Sequence, residues 1–97
     1  VSEATQTQTL WLARIYVTLK TAVVDPQGDT ILGALHQLRF TEVQSVRMGK
    51  YLEVRLEAAD SATAQTRVDD MCRTLLANPV IEQYTFVVTP TEAEQGE

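Results

Sequence analysis

The residues able to do covalent or proton-transfer chemistry are few in this chain, and their spacing brings none of them into a reactive constellation. Cys72 is the only cysteine and His36 the only histidine. A thiol becomes a nucleophile when a base or a positive environment lowers its pKa. Cys72 sits instead among Val68, Met71, Leu75 and Leu76, apolar partners at helical spacing. It reads as a buried thiol with no disulfide partner, which fits a cytosolic setting. His36 falls within a helical pattern with no carboxylate placed to orient it, so it reads as a boundary histidine rather than a general base. Asp69 and Asp70 are neighbours on a helix, point in different directions and read as a solvated face. There is no Walker loop, no GxGxxG, no GxSxG and no paired-cysteine metal motif in the sequence. Met48 and Met71 read as fillers of gaps in the core.

The elements that must position these residues follow from hydrophobic period. From Leu10 to Lys20, Ala13, Ile15, Val17 and Leu19 alternate with Leu12, Arg14, Tyr16 and Thr18, a period of two that predicts a strand. The outward set keeps Leu12 and Tyr16, which leaves an apolar face for a partner. Ile31, Ala34, Leu35 and Leu38 then fall on one helical stripe. Asp25 before Pro26 marks the start of that helix, because the carboxylate can accept from free N–H groups and proline needs no donor at the first position.

Two short runs, Glu42 to Met48 and Tyr51 to Glu57, flank Gly49-Lys50, and glycine at the first of two loop positions predicts a tight hairpin. Asp60 or Ser61 caps a second helix carrying Ala64, Val68, Met71, Cys72, Leu75 and Leu76. Asn78-Pro79 ends it, and Val80 to Val88 predicts a last strand with Tyr84, Phe86 and Val88 on one face. The order strand, helix, strand, strand, helix, strand predicts an α+β, ferredoxin-like βαββαβ two-layer sandwich: a four-stranded antiparallel sheet with both helices on one face.

With 97 residues, 44% of them apolar, the chain has material for one domain. That domain is expected over residues 10–88, with a loosely held polar tail at 1–9 and an acidic one at 89–97. Eight Lys and Arg stand against thirteen Asp and Glu. Four of the acids, Glu3, Glu92, Glu94 and Glu97, lie in the tails, so the body is nearly neutral and its basic residues are scattered. Nucleic acid and anionic membranes, which demand a basic patch, are therefore poor partners. The aromatics Trp11, Tyr16, Phe40, Tyr51, Tyr84 and Phe86 lack an RNP-type signature and read as core and subunit contacts rather than a base-stacking platform. No apolar run approaches a membrane span and no basic-then-apolar leader pattern begins the sequence, so a cytoplasmic location is expected.

Four segments together resemble the PurS family, the small subunit of phosphoribosylformylglycinamidine synthase. They are Val24-Asp25-Pro26-Gln27-Gly28, Ala34-Leu35-His36, Val46-Arg47-Met48-Gly49-Lys50-Tyr51-Leu52-Glu53, and Leu75-Leu76-Ala77-Asn78-Pro79-Val80-Ile81-Glu82-Gln83-Tyr84. The match runs from Ala13 to Val88. Arg39 stands where many members have glycine, and Gln83 where the family usually has aspartate.

The resemblance implies a non-catalytic subunit that forms a homodimer or dimer of dimers and joins a PurL synthetase to a PurQ glutaminase. The assembled enzyme converts formylglycinamide ribonucleotide, ATP and glutamine into formylglycinamidine ribonucleotide, ADP, phosphate and glutamate. ATP and magnesium belong to PurL, so no cofactor is expected in this chain. The candidate subunit contacts are loop positions, where binding residues tend to lie on a scaffold: Asp25, Pro26, Gln27 and Gly28; Arg47, Gly49 and Lys50; Asn78, Pro79 and Glu82. Asp25-Pro26 and Asn78-Pro79 also serve as helix punctuation, and Gly49 as a turn glycine. Arg47 and Lys50 are least explained by backbone geometry and are the strongest contact candidates. An amino-acid-binding regulatory module of the ACT type shares this order of elements and is the alternative. An acylphosphatase is a weaker one, because KTAVVDPQG after Leu19 lacks the required phosphate-cradling loop.

Overall fold

The computed structural model describes residues 9–92. It is an α+β fold with three strands and two helices: β1 (Thr9–Leu19), α1 (Pro26–Gln37), β2 (Gly49–Ala58), α2 (Ser61–Met71) and β3 (Glu82–Pro90). The first and last strands therefore extend beyond residues 10 and 88; of the two polar ends, residues 1–8 and 93–97 lie outside the described residues.

The sheet is antiparallel in the order β2-β1-β3, with β1 in the centre. Its alternation works as expected. Ala13, Ile15 and Val17 are buried and meet Val68 and Cys72, while Leu52, Val54, Leu56, Tyr84, Phe86 and Val88 pack around them. Trp11 forms a second cluster with Ala58 and Ala64 and donates its indole N–H to Ala58 O at 3.1 Å. On the opposite face Leu12 is buried after all, and the uncovered apolar surface is carried by Tyr16, Tyr51 and Val87. Tyr16 and Tyr51 face each other across β1 and β2 with ring centroids 5.1 Å apart.

The expected fourth strand is absent, so the four-stranded ferredoxin-like sandwich is corrected to a three-stranded sheet. Residues 42–48 form no strand because their polar groups are committed elsewhere. The Met48 N–H donates to the Asp25 carboxylate at 2.7 Å, Arg47 donates to carbonyls of the loop after β1, and His36 Nε2 bonds Val43 O at 2.7 Å. Nor is Gly49 a hairpin turn. It opens β2 opposite Thr18, where any Cβ would collide with Val17 O.

The two helices, expected together on one face of the sheet, differ in how far they pack on it. Extensive packing on the sheet comes from α2, which buries Ala64 and Val68. The helix continues beyond Met71 as one wider π turn, Cys72–Leu76, closed by the Ala77 N–H on Cys72 O at 3.0 Å. By contrast α1 buries only Gly28 and has no extensive packing against a strand or against α2. Its stripe is left open: Ile31 and Leu38 are exposed, as is Phe40 just beyond the helix. Just past the Leu38 C-cap comes Arg39, whose φ of 80° is the left-handed region where glycine is favoured. The Phe40 N–H closes back on Leu35 O at 2.9 Å.

Candidate functional site

One end of the sheet gathers three loops, and Asp25 is the pivot that joins two of them. Its side chain caps α1 by accepting the Gly28 N–H at 3.0 Å with one oxygen, and holds the Met48 N–H with the other. Asp25 is the only buried charged residue among those described. The two backbone donors, Met48 first and Gly28 second, hold its carboxyl below the usual range, helped by the nearby Arg47 charge and opposed by burial. Gly28 is required beside it, since a Cβ there would collide with Val46 O and the Asp25 carboxylate.

Arg47 does not project from a hairpin tip. Its guanidinium reaches back to donate to Lys20 O at 2.8 Å, Val23 O at 3.2 Å and Leu19 O at 3.3 Å. Planar donors in a fork suit several carbonyls at once, so Arg47 clamps the loop between β1 and α1 to the start of β2.

The third loop is built around Asn78. Its side chain accepts the Val80 N–H at 3.0 Å, its own N–H donates to Glu82 Oε1 at 2.7 Å, and its carbonyl accepts the Glu82 N–H at 2.7 Å. Lys20 ties this loop to the first through Nζ on Pro79 O at 2.7 Å and through its N–H on Ile81 O at 2.9 Å. Lys20 is a connector that sequence reasoning missed, because its partners are backbone carbonyls far along the chain.

Five of the ten candidate residues, Asp25, Gln27, Gly49, Lys50 and Glu82, line a single cavity of about 240 Å³ with Val17, Leu19 and Met48. Pro26 and Gln27 border a neighbouring depression with Ile31 and Thr30. Arg47 and Asn78 stand behind these surfaces as braces. Val24, Val80 and Leu75 expose large apolar side chains at this end of the fold, and no polar motif marked them in the sequence.

The chemistry-bearing residues are held in structural roles. Cys72 is fully buried, and burial, followed by the Asp69 charge, pushes its thiol pKa up, away from nucleophilic behaviour. Asp69 and Asp70 are not simply solvated: Arg73 binds both, and Tyr84 donates its hydroxyl to Asp69 at 2.6 Å. That hydroxyl first, and Arg73 second, lower the Asp69 pKa. Among the described residues no three His, Cys, Asp or Glu side chains gather as a metal site, and no helix is long and apolar enough to cross a membrane.

Comparison with known proteins places this arrangement. Residues 12–90 match the family model described as PurS, phosphoribosylformylglycinamidine (FGAM) synthase. The chain is 52% identical over 79 residues to the phosphoribosylformylglycinamidine synthase subunit PurS of Synechocystis, covering 81% of this chain and 79% of that one. It is 42% identical over 85 residues to the Bacillus subtilis PurS subunit, covering 88% of this chain and all (100%) of that one. Among solved structures it resembles B. subtilis PurS with a TM-score of 0.74 at 44% identity, over 81% of this chain and 98% of that one. It also resembles a chain of the Thermotoga maritima PurLQS structure, with a TM-score of 0.76 at 32% identity over 82% of this chain and 98% of that one.

Proposed function

The chain belongs to the PurS family of phosphoribosylformylglycinamidine synthase subunits in purine biosynthesis, and from that premise we propose that it is the non-catalytic bridge between a PurL synthetase and a PurQ glutaminase. The observation that carries the reading is the three-loop end of the sheet. Asp25, Arg47, Lys20 and Asn78 consume their polar groups in rigid backbone contacts there, while Gln27, Lys50 and the apolar tips Val24 and Val80 remain outward. A scaffold so braced presents a fixed surface without a reactive group on it. The partners come to this reading from the T. maritima relative, which stands in a structure of PurLQS.

Such a subunit answers a physical need. Ammonia released at a glutaminase site is lost to water by diffusion and protonation unless the consuming site is held in register. A rigid bridge lowers the entropic cost of that alignment and can favour a closed arrangement if its contacts differ between open and closed states. ATP and magnesium act on PurL in this account, and two copies of the present chain associate within the assembly. The ACT-type alternative has no support from the family match.

The assembly is tested by co-purification. A tagged copy of this chain should retain both the PurL and the PurQ of its own source in the presence of glutamine, ATP and magnesium. Retention of neither subunit under those conditions contradicts the bridging role.

A further inference from the structure

The cavity of about 240 Å³ at the loop end of the sheet carries a charge of opposite sign on each side of an apolar floor. Lys50 on β2 stands opposite Val17, and Glu82 on β3 opposite Leu19, so β1 runs between them. Two strand spacings separate the two backbones by about 10 Å, and Val17 and Leu19 form the floor of that gap. Glu82 is held by the Asn78 N–H on Oε1 at 2.7 Å, which leaves its other oxygen uncommitted. Among the described residues, the Lys50 ammonium and the Gln27 carboxamide in the cavity wall engage no partner. Asp25, the remaining charged group of the wall, spends its two oxygens on the Gly28 and Met48 N–H groups.

We propose that this cavity binds a small α-amino acid with a carboxamide side chain, its carboxylate on Lys50, its ammonium on Glu82 and its side-chain amide on Gln27. A plain anion would meet the Glu82 and Asp25 carboxylates, and a plain cation would meet Lys50. An apolar molecule would strip water from both charges and leave them unpaired. A zwitterion satisfies both walls at once. Gln27 offers a donor and an acceptor together, the complement of another carboxamide. Volume sets the size of the ligand. A space of about 240 Å³ holds on the order of eight waters and falls short of the roughly 300 to 1,000 Å³ of pockets for drug-sized ligands, so a nucleotide is too large. The Asp25 bond to the Met48 N–H and the Asn78 bond to Glu82 set the walls before a ligand arrives, which lowers the cost of ordering them on binding.

The inference concerns a ligand of this chain by itself and goes beyond the bridging role. Its test is an amide NMR titration of the full chain with L-glutamine, L-asparagine and L-glutamate, and with acetate and methylammonium as charged fragments. Glutamine and asparagine should shift the Gln27, Gly49, Lys50 and Glu82 signals saturably, with dissociation constants on the order of 1 mM or tighter. Glutamate brings a second carboxylate towards Asp25 and should bind about fivefold more weakly or worse. Lys50→Met and Glu82→Gln should each raise the glutamine dissociation constant about tenfold or more, the loss of one charge-assisted hydrogen bond. Methionine keeps the apolar stem of Lys50 and glutamine keeps an oxygen for the Asn78 N–H, so both variants should unfold near the parent midpoint.

The site is overturned if no ligand gives saturable shifts by about 20 mM, if both variants leave the shifts unchanged, or if acetate and methylammonium reproduce them in full. A parent chain that binds no amino acid, with variants that release PurL or PurQ, also overturns it, because the cavity then seats a side chain of a partner subunit. Failure of amino-acid binding leaves the bridging role standing, and amino-acid binding without retention of PurL and PurQ counts against the bridging role alone.

Discussion

Asp25 holds the backbone N–H of Met48 at 2.7 Å, a single carboxylate bond that joins the start of α1 to the entry of β2 across 23 residues of sequence. The same carboxylate caps the helix through Gly28, so the anion is needed by two segments at once. An ordinary carboxyl of this type titrates near 3.8, and the two N–H donors place the folded value below that. The stabilisation is then fully present above the unfolded pKa and is lost as pH falls through the lower, folded one.

Asp25→Asn should therefore lower stability at neutral pH, because the amide can accept only one of the two N–H groups. The gap between the parent and the variant should narrow as pH falls below about 4. Urea unfolding of both proteins across that range checks the sign; a gap that widens on acidification contradicts it.

Gly28→Ala should destabilise the same junction. The added methyl meets Val46 O and the Asp25 carboxylate, one of them backbone that cannot easily retreat. Overpacking of this kind costs about 1 to 3 kcal/mol. Chemical denaturation gives the value, and an unchanged midpoint would show that the junction yields freely.

Arg39→Gly is expected to act in the opposite direction. Arg39 sits at a φ of 80° past the end of α1, where a side chain is strained and glycine is not. Relief of that strain should stabilise the helix end by about 1 kcal/mol. Slower amide exchange of Phe40, whose N–H closes the turn on Leu35 O, is the local readout.

Arg47 and Lys50 should separate. Arg47→Ala removes three hydrogen bonds to loop carbonyls and should cost about 1 kcal/mol, less than a buried charged bond because the group is exposed. Lys50→Ala touches only the rim of the cavity and should stay within about 0.5 kcal/mol. If Lys50 meets a partner, its variant weakens assembly while unfolding at the parent midpoint. Thermal unfolding beside pull-down of PurL and PurQ distinguishes the pair.

The strands β1 and β3 and the helix α2 were legible because their apolar periods and caps are local: Ile15 and Val17 alternate within β1, and Asp60 accepts the Thr63 N–H just inside α2. Residues 42–48 were not. Val43, Val46 and Met48 look like half a strand, yet their pairing is set by Asp25, His36 and Arg47 reaching in from elsewhere. The stripe on α1 was read correctly as amphipathic, but period alone cannot say whether the cover comes from the same chain. At the loop cluster, punctuation residues such as Asp25 and Asn78 marked where the chain turns, and the turns meet because β1, β2 and β3 share that end. Lys20 and the bracing role of Arg47 stayed hidden, since both bind carbonyls and a carbonyl leaves no mark in a sequence.

The central claim is that this chain supplies alignment and not chemistry to phosphoribosylformylglycinamidine synthesis. The most direct measurement is glutamine-dependent turnover by purified PurL and PurQ of the same source as this chain is titrated in. Turnover should rise from near background to a plateau at a fixed ratio of subunits, while the chain alone hydrolyses neither ATP nor glutamine. Full glutamine-dependent turnover in its absence, or hydrolysis by the rigorously purified chain itself, would contradict the account.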